Sequence, residues 1–388
     1  MLVHQSSGRA GATGESFKIL IVASLRYPIA QPFAGGLEAH TWSLARGLRA
    51  RGHLVMVAGA AGSDPSVVGY EFGALPVGDA GDRPDTTEHP LVRRAEQSAY
   101  AALMDQLRDG MLGSFDVIHN NSLHPLPVQR AASLPSPLVT TLHTPRLPWA
   151  EEVLDGPSDG GVVGRTPGRD RHFVAVSRAT AALWRPLVNA RVVRNGVDTT
   201  VWRAGPGGPG AVWFGRIVPE KAPHLAIDLA RTAGFDLTIA GPLIDEDYFA
   251  TAVAPRLGPE VHYAGHLDQT DLAELVGRSA VALVTPVWNE PFGLVAAEAM
   301  ACGTPVVAFA RGGLPEILDA PAGRLIAPVP AAGFSRERLD AAVAALTEAA
   351  GLDRRVIRRR AVGRLGRSAM IRGYEAVYAD AVRRWNPS

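Results

Sequence analysis

The sequence has 388 residues, 47% hydrophobic and 20% charged, enough apolar material for a large core and too much for a disordered chain. At about 150 residues per domain the length favours two domains. Lys and Arg number 39 against 38 Asp and Glu, a formal net charge of +1, so no overall field draws the protein to nucleic acid or to an anionic membrane.

Cys302 is the single cysteine, which rules out an intrachain disulfide and a cysteine-built zinc or iron–sulfur centre. No stretch approaches the ~20 apolar residues that span a bilayer. Residues 1–16 are polar and glycine-rich, without the apolar region of a signal peptide, and are expected to form a loose tail on a cytoplasmic protein.

Residues 17–24, FKILIVAS, form a continuous apolar run of strand length, the pattern of a strand buried on both faces. A glycine turn at Gly35 and Gly36 follows, then a helical stripe of Leu37, Leu44 and Leu48. Further strands are expected at 53–58, 116–119, 138–142, 172–176 and 191–194. Helical segments lie between several of them. Segments 78–90 and 150–171 are rich in Gly, Pro and Asp and are expected to be loops.

VWRAGPGGPG at 201–210 has the composition of a linker. Beyond it the alternation restarts, with strands at 211–214, 236–240, 280–285 and 305–308 and helices near 224–233, 272–279 and 292–301. After Ser335 the chain is expected to be helical to its end. This alternation predicts an α/β protein of two doubly wound parallel-sheet domains. The expected divisions are 17–200, 201–370 and a last segment at 371–388. Ligands of such sheets bind beyond the carboxyl ends of the strands, which places a site in the cleft between the domains.

The densest chemical signal is WNEPFGLVAAEAMACGTPVVA, residues 288–308. Glu290 follows an apolar strand, Pro291 suits the first position of a helix, and Glu298 lies within that helix, tilted back towards the same end. The amides of Phe292, Gly293 and Leu294 at the helix start suit an anion. Two isolated glutamates would ordinarily be surface charges; their setting makes them a carboxylate pair beside an anion cradle. In GRIVPEK, Arg216 and Lys221 follow a strand end, a fork and a point charge suited to a diphosphate. Only two lysines occur in this arginine-rich chain, Lys18 and Lys221. The turn at Gly35 and Gly36 resembles a phosphate loop, but neither GxGxxG nor GxxxxGK[ST] is present, which disfavours nicotinamide and P-loop enzymes.

Together with AGGLEAH, DVIH, TLHTP, VSR, NGVD, AGP and YAGHL, in that order over roughly residues 17–320, these motifs resemble the retaining glycosyltransferases of family four. That resemblance implies the GT-B architecture, a nucleotide-sugar donor with a UDP-sugar favoured, and transfer with retention to a small-molecule or glycan hydroxyl. It implies no cofactor and no metal. It assigns ribose hydroxyls to Glu298, and the donor sugar to Glu290 with Pro291, Phe292, Gly293, Leu294 and Val295 alongside. The diphosphate falls to Arg216 and Lys221, closed over by Gly35 and Gly36, and the base to Gly265, His266 and Leu267. His143 would contact the transferred sugar, so that Glu290, His143, Arg216 and Lys221 form the catalytic set. His119 and His124 are expected in loops facing the acceptor. The family usually has glycine after the lysine, where this chain has Ala222.

Three other features compete. Asp245, Glu246 and Asp247 have a metal-binding D-x-D spacing but sit where helix-capping residues belong. The three histidines match no metal-ligand pattern. The eight arginines of 354–372 are expected to form a solvated helical face, with membrane contact at most peripheral. The alternatives to transfer are a nucleotide-sugar epimerase or phosphorylase of the same shape, or a nucleotide-sugar sensor without turnover.

Overall fold

The computed structural model describes residues 16–75, 90–155 and 171–385. The expectations for residues 1–15, for 78–89 and for 156–170 lie outside the described residues. The first domain runs β1 (Lys18–Val22), α1 (Gly36–Ala50), β2 (Leu54–Gly59), β3 (Tyr70–Glu71), α2 (Pro90–Arg108) and β4 (Val117–Asn120). It continues through α3 (Leu126–Gln129), β5 (Leu138–Leu142), α4 (Ala150–Asp155), β6 (Arg171–Ala175), α5 (Arg178–Trp184) and β7 (Arg191–Val192). The second begins β8 (Ala211–Phe214), α6 (Pro223–Thr232), β9 (Leu237–Ala240), α7 (Glu246–Tyr248), β10 (Val261–Tyr263) and α8 (Gln269–Gly277). After β11 (Val281–Val284), α9 (Leu294–Ala301), β12 (Val306–Phe309), α10 (Leu314–Ile317) and β13 (Gly323–Ile326) come α11 (Arg336–Ala350), α12 (Arg354–Leu365) and α13 (Arg367–Trp385).

Both sheets are parallel throughout. The first has strand order β3-β2-β1-β4-β5-β6-β7 and the second β10-β9-β8-β11-β12-β13. The short edge strands β3, β10 and β13 were not legible in the sequence, being only two to four residues long. Alternation along the buried strands builds a core on each face. Ile19 and Ile21 of β1 enter one cluster and Leu20 and Val22 the other. In β8, Ala211 and Trp213 pack on one side and Val212 and Phe214 on the opposite one. Two-sided burial is what the unbroken apolar runs require.

Each sheet reverses its strand order beside its first strand, β1 next to β4 and β8 next to β11, and crevices for ligands open at such points. The chain leaves β1 into the loop of Gly35, β8 into the loop of Arg216 and Lys221, and β11 into the loop of Glu290. All three therefore converge.

The chain crosses between domains a second time near Gly366, where α12 ends and α13 begins. There the Val197 amide donates to Leu365 (2.7 Å) and the Arg367 amide to Val197 (2.9 Å). A Cβ on Gly196 would stand 2.7 Å from the Arg367 Cα, so this crossing needs glycine at that position. From α13, Met370, Ile371, Tyr374 and Tyr378 pack into the first domain's core, and Glu375 binds Arg51 (3.0 Å) and His53 (3.1 Å). Among the described residues, no helix is long and apolar enough to cross a membrane.

Candidate active site

Lys221 and Glu290 meet directly, Nζ to Oε2 at 2.6 Å. The Trp288 indole N–H donates to the same oxygen at 3.0 Å, and the ammonium lies 4.9 Å from the Trp288 ring centroid. Glu290 is buried, and an ionised carboxylate in that position needs these donors. Behind it, the Gly313 amide donates to the Glu290 carbonyl at 2.7 Å. A Cβ on Gly312, whose φ is +57°, would come within 2.0 Å of that carbonyl oxygen. The Gly312-Gly313 pair thus fixes the Glu290 loop. It was missed in the sequence, where RGGLPE gave only a glycine doublet before a proline.

Arg216 lies where the two domains face each other. Its guanidinium is 3.6 Å from Glu220, and it is a charge neighbour of Glu38 and Tyr27 of the first domain. A Cβ on Gly35 would stand 3.1 Å from a Glu38 carboxylate oxygen and 3.5 Å from the Arg216 Cδ, while one on Gly36 would touch Leu294 at 3.7 Å. The glycine turn therefore closes against the second domain's basic loop and the head of α9. Glu38 is buried in the first turn of α1, and burial raises its carboxyl above the usual carboxylate range.

Helix α9 begins at Leu294, so Pro291 is a loop residue and not the first helical position. Gly293, at φ +88°, interrupts the helical run, and a Cβ there would meet Leu314 at 2.4 Å. The Leu294 and Val295 amides head the helix without a carbonyl partner among the described residues. The Pro291 carbonyl accepts from the Thr180 hydroxyl of the first domain at 3.2 Å; Phe292 is buried in the core. Glu298 is buried at the interface with α1, lining a small crevice with His40, Ser43 and Gln269. Burial alone raises its carboxyl to about 8. Ala222 takes left-handed angles, φ 48° and ψ 54°, which explains why glycine suits this position.

Gly265, at φ +83°, accepts from the Gly241 amide at 2.9 Å. His266 donates Nε2–H to the Phe33 carbonyl at 2.9 Å, a bond between domains, and Leu267 packs on the second domain's core.

His143 is half-buried at the end of β5. Its Nε2 lies 3.0 Å from Oδ1 of the Asn121 side chain, which can only accept, so Nδ1 carries the lone pair. Burial, together with His40 and His119 nearby, holds the imidazole well below its usual range and therefore neutral. His40 packs edge-on at 4.8 Å between centroids and is itself lowered to about 4 by burial. Neither His40 nor Asn121 was assigned a role in the sequence, although AGGLEAH contains the first.

One expectation needs correction. His119 is not on a loop facing an acceptor: it is fully buried in β4, its ring nitrogens 2.7 Å from the Tyr378 and Thr141 hydroxyls. The strand expected at 116–119 already contains it, and the observed strand runs on to Asn120, so the histidine lies inside the sheet and not beyond its end. His124 does lie on a loop, but Nδ1 accepts from the Leu126 amide at 3.2 Å and the ring rests on Tyr100, so it shapes that loop.

Asp245 caps α7, its side chain accepting from the Tyr248 amide at 2.8 Å. Cys302 is buried, and burial lifts its thiol to about 12. Glu316, which the sequence did not single out, spans the domains by accepting from the Arg178 and Ala179 amides at 3.1 and 2.7 Å.

Residues 34–201 match the family model Glycosyltransferase Family 4, and residues 205–356 match Glycosyl transferases group 1. A glycogen synthase of Mycobacterium tuberculosis is 30% identical over 353 residues, 81% of this chain and 84% of that protein. A D-inositol 3-phosphate glycosyltransferase of Mycobacterium marinum is 34% identical over 187 residues, 42% of this chain and 38% of that one. Among solved structures, sucrose-phosphate synthase from Thermosynechococcus elongatus superposes with a TM-score of 0.70 at 20% identity, covering 94% of this chain and 98% of that one. Anabaena HepE in complex with UDP-glucose gives 0.67 at 18% identity, covering 94% and 100%. With two facing parallel-sheet domains and both halves matched, the chain belongs to the glycosyltransferases of family four and group 1 and has their GT-B fold.

Proposed function

We propose that the protein moves a hexose from a nucleoside diphosphate sugar, with UDP the favoured carrier, to a hydroxyl acceptor with retention of anomeric configuration and without a metal ion. The observation that carries this reading is the convergence of Lys221, Glu290 and Arg216 against the first domain's glycine turn. Two cations beside free helix-head amides suit a diphosphate, and the buried carboxylates Glu290 and Glu298 suit hydroxyls of the sugar and ribose. HepE, a neighbour in fold, binds UDP-glucose, which supports the choice of UDP.

In this mechanism Arg216 and Lys221 stabilise the charge that develops on the departing diphosphate. The neutral His143, with Nδ1 free to accept, orients a hydroxyl of the transferred sugar. The bond from the anomeric carbon to the diphosphate oxygen breaks as the acceptor oxygen bonds on the same face. The acceptor's proton passes to the departing phosphate oxygen. Among the described residues the first-domain carboxylate beside Arg216 is Glu38, buried in the first turn of α1, and this mechanism does not use it as the nucleophile of a double displacement.

The test is thermal stabilisation by UDP, GDP, ADP, dTDP and their sugar conjugates without added metal, followed by NMR of the product of whichever donor is turned over. A ligand at ~100 times its dissociation constant adds ~2.7 kcal/mol. A shift for one nucleotide class that disappears in Glu298→Ala and Lys221→Ala supports the site. An inverted product would refute the same-face displacement, and binding without turnover of any acceptor would favour a sensor.

A further inference from the structure

The arginine-rich stretch 354–372 is not one solvated face. Arg354 donates to the carbonyls of Ser279 (2.9 Å) and Gly277 (2.8 Å) and to the Thr304 hydroxyl. Arg358 donates to the carbonyls of Trp202, Ala301 and Thr199. These two therefore cover the carbonyl-rich ends of α8 and α9, where positive charge is favoured. Arg360 and Arg364 both bind Asp319, and Arg367 binds Asp198. Arg355, Arg359 and Arg372 remain, all exposed and without a side-chain partner among the described residues, and the first two lie together on α12.

These two are one helical turn apart on the rim of a cavity of about 760 Å³, within the size range of small-molecule sites. Arg354, Arg355, Arg358, Arg359, Val362 and Gly363 form one wall. The wall opposite is Ala204, Gly205, Cys302 and Gly303, at the far end of the helix whose head faces the donor cleft. The cavity shares no residue with that cleft. Four arginines and no Asp or Glu contribute to its lining; the guanidinium groups of Arg354 and Arg358 are turned to backbone carbonyls, which leaves those of Arg355 and Arg359 free of a partner among the described residues.

Like charges at i and i+4 repel and weaken a helix. An unpaired pair of them in a concave recess, with two further cations behind it and the methyls of Val362 exposed, is organised for an incoming anion. Arginine forks match phosphate oxygens in pairs. We infer that this cavity is a second ligand site, taking a small molecule that bears a phosphate monoester or diphosphate. The cavity is larger than a bare phosphate, so the ligand has a body that lies along Val362 and the arginine stems.

Calorimetric titration of the full chain with pyrophosphate tests this. Because the donor cleft also offers cations, the reference protein carries Arg216→Ala and Lys221→Ala. It is expected to retain one binding event, which Arg355→Ala with Arg359→Ala weakens at least tenfold. Gly363→Glu gives an independent handle. A side chain there enters open space, with no atom within 4 Å of its Cβ, and its carboxylate would neutralise the recess. It should abolish that event while leaving the melting temperature of the intact chain unchanged or higher, glycine being a poor helix former.

If the reference protein does not fold, the intact chain should show two events and Gly363→Glu one. The inference is overturned if no event survives loss of the donor-cleft cations, or if Gly363→Glu leaves pyrophosphate binding unchanged. It is also overturned if Arg355 and Arg359 mediate sedimentation with vesicles of phosphatidylcholine and phosphatidylglycerol while free pyrophosphate does not bind, since a lipid surface would then be the occupant.

Discussion

Replacing Glu298 by glutamine keeps the shape of the side chain and removes its titration. In the folded protein burial raises the Glu298 carboxyl from 4.5 to about 8, whereas in the unfolded chain it ionises at its ordinary value. The folded state therefore holds the proton more tightly. Wild-type stability is complete below about pH 4.5, falls by ~1.4 kcal/mol per pH unit as the pH rises towards 8, and levels off above that. The glutamine side chain is neutral throughout and escapes the loss. Between pH 6 and pH 8 the stability advantage of Glu298→Gln should grow by about 2 kcal/mol. Urea unfolding of both proteins at the two pH values, followed through the tryptophans, reads this directly. An advantage that is the same at both values would refute the burial argument, because a merely structural substitution has no reason to depend on pH. Nucleotide binding should show the linked effect. If ribose hydroxyls bond the ionised carboxylate, the stabilisation by UDP should be greater at pH 8 than at pH 6.

Gly312→Ala places a methyl within 2.0 Å of the Glu290 carbonyl oxygen at a left-handed position, so the Glu290 loop must move. The expected result is a loss of at least ~2 kcal/mol on thermal unfolding with little donor binding left; near-normal binding would mean that the loop tolerates displacement. Glu316→Ala removes the acceptor for two amides at the head of α5, bonds to a charged group worth ~1.5–3 kcal/mol each at most. Hydrogen exchange of the Arg178 and Ala179 amides should accelerate at least tenfold, and unchanged rates would show that these bonds between the domains do not persist in solution.

Much of the fold was legible because the central strands are buried on both sides and so appear as unbroken apolar runs, as in FKILIVAS and AVWF. The edge strands β3, β10 and β13 were not; Tyr70 and Glu71 of β3, for example, carry no such pattern. In the candidate site, Glu290, Arg216 and Lys221 were legible because each follows a strand end. What the sequence could not show is which partner each side chain takes. Lys221 could be assigned to a diphosphate, but not to the 2.6 Å contact with Glu290. The misplacement of His119 has the same origin: whether a histidine at the end of a strand faces a cleft or a core depends on what packs above it. Here that is Tyr378, 259 residues away in the chain. Pro291 misled because proline also suits a loop that Gly293 ends.

The return of α13 to the first domain bears on how the chain is made. The core beneath β4 and β5 is finished by Tyr374 and Tyr378, whose hydroxyls bond Thr141 and His119, and by Glu375 against Arg51 and His53. On the ribosome the second domain has every strand of its sheet before those residues are synthesised. The first domain, though translated first, lacks the hydroxyl partners of His119 and Thr141 and the carboxylate partner of Arg51 and His53 until α13 emerges. The second domain is therefore free to complete its fold before the first.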